Sequence, residues 1–139
     1  MALSAKLRRE VATRAGYRCE YCGLSAEGQA ATFHMHHVIP QVAGGPTTPA
    51  NLALACIHCS LRKGARRTAI DPKSGKTVSL FNPRLESWNK HFHWEHVLMI
   101  GKTAVGRATV TALQLNGPEH VVIRGFESRL GRHPPPQVD

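Results

Sequence analysis

The stretch NLALACIHCSLRKG, residues 51–64, carries a strand, a cysteine knuckle and a helix in immediate succession. The short apolar run from Leu52 to Ala55 reads as a buried strand. Cys56 and Cys59 then form a C-x-x-C unit, and the basic residues after it run to Gly64, where a helix would stop. An isolated strand and a half-occupied knuckle cannot stand alone. They ask for a second strand and a second cysteine pair.

Both lie upstream. CEYC supplies Cys19 and Cys22. The N-terminal MALSAKLRREVATRAG is charged and amphipathic, without the apolar run of a secretory signal. Without such a signal, four cysteines in two C-x-x-C units read as a tetrahedral zinc site rather than two disulfides. The gap between the pairs exceeds the roughly 15–20 residues of a compact finger, so something is inserted. The insert holds ATFHMHHVI (31–39), a strand ended by Pro40, and then the loop QVAGGPTTPA (41–50). Thr48 and Pro49 look like an N-cap and first-turn pair. Within that strand His34, His36 and His37 crowd into four positions, which packing alone does not require.

Outward from this centre, Ser4 caps an expected helix to about Ala15, with Gly16 ending it and Leu3, Leu7 and Val11 on one face. Downstream, DPKSGK is a turn, TVSLF a strand, and HFHWEHVLMI a single further strand. Trp88, Phe92 and Trp94 read as core, and His91, His93 and His96 as surface residues. Thr103 and Pro118 each open a helix, and GRHPPPQVD is expected to be disordered.

The chain has 139 residues, with 18 Lys and Arg against 9 Asp and Glu, a formal charge of +9. That balance points to a polyanionic partner, nucleic acid before membrane. No apolar run approaches the roughly 20 residues of a spanning helix, so a cytoplasmic protein is expected.

CEYC, HHVIP, GG, NLALAC and CSLRKG, in that order, resemble the HNH endonucleases. More narrowly they resemble the branch whose ββα-metal site is braced by a four-cysteine zinc. The resemblance implies an α+β fold: a zinc-stabilised ββα-metal core with an N-terminal helix over 1–68, an accessory strand and helix extension packed on it over 69–131, and a disordered tail over 132–139. It implies structural Zn²⁺ on Cys19, Cys22, Cys56 and Cys59. It also implies a single catalytic divalent ion, which could be Mg²⁺, Mn²⁺, Ni²⁺ or Zn²⁺.

His37 occupies the family's general-base position, and imidazole, with an ordinary pKa near 6.5, suits proton acceptance at neutral pH. His36 stands where the family places a metal ligand. An imidazole there favours a transition ion over magnesium, which prefers oxygen donors. Asn51 matches the residue that tethers the loop and orients the base. Ser60 stands where a second strong metal ligand, His or Asn, is usual, and a neutral hydroxyl is weak in that role. His34, on the strand face of His36, could be a ligand, a phosphate contact or plain surface. His58, two residues from Ser60 on the helix, would point nearly the opposite way and is expected to face nucleic acid. Arg62, Lys63, Arg66 and Arg67 are the expected phosphate contacts.

The resemblance thus implies a metal-dependent endonuclease acting on DNA, most simply double-stranded, as monomer or dimer. Two competing readings are a zinc-stabilised DNA-binding module that has lost catalysis and a zinc-scaffolded protein-interaction domain. The charge fits the last poorly.

Overall fold

A computed structural model describes residues 3–136. The fold is α+β. Helix α1 (Ala5–Arg14) starts at Ser4, whose hydroxyl accepts the Leu7 N–H at 3.1 Å, a cap that contributes about 1 kcal/mol. Its fully buried Val11 and the partly buried Leu7 face the core. The Arg14 guanidinium donates to the carbonyls of Pro49 (2.8 Å) and Leu52 (2.6 Å), fixing the helix against the next elements.

Strands β1 (His34–His37) and β2 (Leu52–Ala55) pair antiparallel, with His34 opposite Ala55 and His37 opposite Leu52. All of β2 is buried, and fully burying Leu52 contributes about 2–3 kcal/mol. Cys56 then serves as N-cap of α2 (Ile57–Lys63), which Gly64 ends. Together β1, β2 and α2 are the ββα unit that the sequence order implied. The first knuckle is tied to β2 on both sides: Glu20 N–H donates to Leu54 O, and Leu54 N–H donates back to the Glu20 carboxylate, each at 2.8 Å. Arg84 closes an ion pair on that carboxylate.

Beyond the unit lie a hairpin of β3 (Thr68–Ile70) and β4 (Thr77–Ser79), then α3 (Trp88–His91), a hairpin of β5 (Phe92–Glu95) and β6 (Leu98–Gly101), α4 (Ala104–Ala112) and α5 (Pro118–Arg129). The division drawn after residue 68 falls inside β3. Asp71, fully buried, accepts two bonds from Arg107 at 2.9 and 3.0 Å, so the turn expected over DPKSGK is bolted to α4. The guanidinium holds that carboxyl well below the usual carboxylate range.

Three expectations are corrected. Residues 91–100 are not one strand. The chain reverses at His96, whose φ of 53° makes the turn, and the apolar alternation resumes after it, which hides the reversal. His91 is not a surface residue: it ends α3 at 4% exposure, with Nδ1 2.6 Å from the Thr103 hydroxyl and Nε2 2.8 Å from the Glu86 carboxylate. The tail expected to be disordered lies against the body as far as it is described. Arg132 pairs with Glu127, His133 meets the Trp94 ring edge-on at 4.6 Å, and Pro135 abuts Gly23. The rest of it, residues 137–139, lies outside the described residues.

Candidate active site

The four cysteines converge behind the ββα unit. Their sulfurs all lie within 4.8 Å of one another, every one buried and none in a disulfide. Cys22 and Cys56 sulfurs are 3.7 Å apart. A tetrahedron with Zn–S bonds near 2.3 Å has edges of about 3.8 Å, whereas a disulfide would need about 2.05 Å. The donor set and spacing therefore fit a zinc ion. The knuckle amides reinforce the site, as Cys22 N–H and Cys59 N–H each point at the preceding knuckle sulfur from 3.5 Å.

An open cleft of about 600 Å³, lined by none of the cysteines, takes in His34, His36, His37 and Ser60. Strand alternation sends His34 and His36 to the α2 side, where their Nδ1 atoms stand 3.0 and 3.3 Å from the Ser60 hydroxyl. Burial pushes the His36 imidazole down to about 4, and the Lys63 charge adds to the effect, so the ring is neutral at pH 7. Its Nε2 is buried without a hydrogen-bond partner. With the proton kept on that atom, the Nδ1 lone pair faces Ser60. Two imidazoles and a hydroxyl suit a transition ion better than magnesium, and no carboxylate lines the cleft. Among the described residues, the four cysteines are the only group of three or more His, Cys, Asp or Glu at metal-holding distance. An ion in the cleft would thus complete its shell with water or substrate oxygen.

His37, on the other strand face, is half-buried, and its Nε2 stands 2.8 Å from the Thr47 hydroxyl. Gln41 also donates to that hydroxyl at 3.4 Å. When Nε2–H donates to Thr47, Nδ1 is the basic atom.

The loop between His37 and Thr47 is held by Asn51, which is 5% exposed. Its side chain accepts the Ile39 N–H at 2.9 Å and donates to the carbonyls of Ile39 (3.0 Å) and Pro46 (2.9 Å). The glycine pair has a steric reason. Gly44 takes a left-handed φ of 85°, and a Cβ on Gly45 would lie 1.8 Å from the Ile39 carbonyl oxygen. Gly45→Ala must therefore spread the Asn51 clamp. The expected cost is about 1–3 kcal/mol, a drop of several degrees in a calorimetric melt.

The basic run divides. Arg66 and Arg67 are exposed. Lys63 is not a free phosphate contact: at 2% exposure its ammonium donates to the Val38 carbonyl at 3.0 Å, and burial lowers its pKa to about 8. Arg62 is engaged by an ion pair with Glu119 of α5. His58 sits on that same side, 4.0 Å from the Glu119 carboxylate and 5.5 Å from the His120 ring, away from Ser60. Arg62 and His58 are engaged for one reason: α5 packs where the sequence offered no sign of a neighbour, whereas Lys63 is turned inward by the Val38 carbonyl. Reading the sequence also missed Thr47. Its only signal is a hydroxyl in the loop that returns from the histidines.

His120 carries a separate test. It is 3% exposed, neither ring nitrogen has a hydrogen-bond partner, and burial lowers its pKa to about 4. The unfolded chain binds the proton below about pH 6.5 and the folded chain does not, so stability is lost as pH falls from there toward 4. Between about pH 7 and about pH 5.5 the loss should be about 1 kcal/mol from this residue. His120→Leu should remove that loss from the pH dependence of the unfolding free energy, read from denaturant melts at about pH 7 and about pH 5.5.

A small ββα unit carrying a four-cysteine cluster that fits a zinc ion, with an open cleft lined by histidines, defines the class of domain built here. Residues 19–66 match the family model of the HNH endonucleases, which bears out over that segment the resemblance drawn from the motifs. No curated protein and no solved structure matches the chain.

Proposed function

We propose that this protein is a metal-dependent endonuclease that hydrolyses phosphodiester bonds in DNA, with His37 as general base. The observation that carries the reading is the meeting of His36, His37 and Ser60 on one open cleft beside a loop locked by Asn51. Nδ1 of His37 would take the proton from the attacking water, while Thr47 holds the other ring nitrogen and fixes the tautomer. Asn51 holds the backbone that follows His37, and Lys63 holds the Val38 carbonyl beside it. His36, with Ser60 and His34, would hold a divalent ion. That ion supplies charge stabilisation at the scissile phosphate and the leaving oxygen. Zinc on Cys19, Cys22, Cys56 and Cys59 would brace the unit without touching the reaction. Arg66 and Arg67 remain the phosphate contacts nearest the end of α2.

No helix among the described residues is long and apolar enough to cross a membrane. Incubation with supercoiled plasmid and Mn²⁺, Ni²⁺ or Mg²⁺ tests the proposal. Nicked or linear product is expected with the transition ions first. Intact plasmid with every ion, together with a gel shift, would favour the non-catalytic DNA-binding module, for which the weak ligand at Ser60 is the motive.

A further inference from the structure

We propose that α1 forms a second wall of the cleft, on which Arg8 and Arg9 grip backbone phosphates of the strand being cut. This rests on the reading that the cleft takes a phosphodiester. Arg8 lines the cleft together with the three histidines. A neighbouring recess of about 350 Å³ is lined by Arg8, Arg9, Tyr17, Phe33, Met35 and Leu54 among others. The two openings share Arg8, Thr32, Phe33 and Met35, so they form one continuous track from Ser60 to the flank of α1. No Asp or Glu lines either opening.

Unlike Arg14, Arg62 and Lys63, these two arginines have free side chains among the described residues. Arg14 is spent on two carbonyls, Arg62 on Glu119 and Lys63 on Val38. Arg8 and Arg9 are exposed and make no side-chain hydrogen bond or ion pair among the described residues. Yet they are not on a loose arm, because Val11 is buried beneath them and Arg14 pins the helix to β2. A rigid, uncompensated cationic pair beside a cleft without acid is suited to hold phosphate.

Fluorescence anisotropy on a labelled DNA duplex of about two helical turns, without added divalent ion, tests this across a salt series. Arg8→Ala with Arg9→Ala should weaken binding roughly tenfold and lower the slope of log K against log salt by about 2. The melting temperature should not change. The control pair Lys90→Ala with Arg129→Ala, exposed and lining neither opening, should leave the slope within about 0.5 of wild type. An unchanged slope in the α1 variant, or an equal fall in the control, overturns the proposal while the cleavage reading stands. If the wild-type protein binds no DNA even at low salt, the phosphodiester reading fails and this proposal falls with it.

Discussion

Cys56→Ser should abolish the cooperative melting transition and most soluble yield. Cys56 stands at the join of β2 and α2, 2% exposed, as N-cap of the helix and as one of the four clustered sulfurs whose spacing fits a zinc ion. Apparent zinc-binding energies in small cysteine sites are about 10–16 kcal/mol, against total stabilities of about 5–15 kcal/mol for a domain. Serine keeps a cap but is a far poorer zinc ligand than thiolate. The three remaining thiols would also be left buried without a matching charge. Thermal melts with zinc quantified on the same sample check this. A variant that keeps its zinc and melts within a few degrees of wild type would show that the cluster is not what holds the two knuckles together. Chelation of the wild-type protein should reproduce the defect.

His37→Ala should cut the cleavage rate by about 10²–10⁴-fold with little change in stability. The two effects separate because His37 is half-buried and its one side-chain hydrogen bond among the described residues goes to an exposed threonine. Its backbone pairing to Leu52 is untouched by the substitution. Supercoiled plasmid with Mn²⁺ gives the rate, and a melt of the same preparation gives the control. Cutting within tenfold of wild type would remove this imidazole from the role of base.

The ββα order was legible because each boundary carried its own chemistry. Ser4 and Cys56 cap their helices, Gly64 ends α2, and the two cysteine pairs bring distant segments together at a spacing that fits one ion. The loop was legible for a similar reason: Gly45 and Asn51 are each required by a close approach to Ile39. What could not be read depended on tertiary neighbours. The reversal at His96 uses a non-glycine residue at positive φ, so no turn signal marks it. Lys63 looked like one member of a solvated basic run, and only the packing of α2 against the β1 loop turns it inward. Arg62 and His58 met a carboxylate from α5 that lies more than fifty residues away in sequence. The reach of α1 to the cleft is likewise a property of the fold, invisible in its own helical pattern.

The most direct measurement is the metal content of wild-type protein and of His36→Ala, each loaded with Mn²⁺ or Ni²⁺, desalted and analysed by mass spectrometry. About one zinc per chain should remain in both proteins, with about one further ion in the wild type that His36→Ala loses. A wild-type protein without the second ion, or a variant that retains it equally, would contradict a cation held beside Ser60.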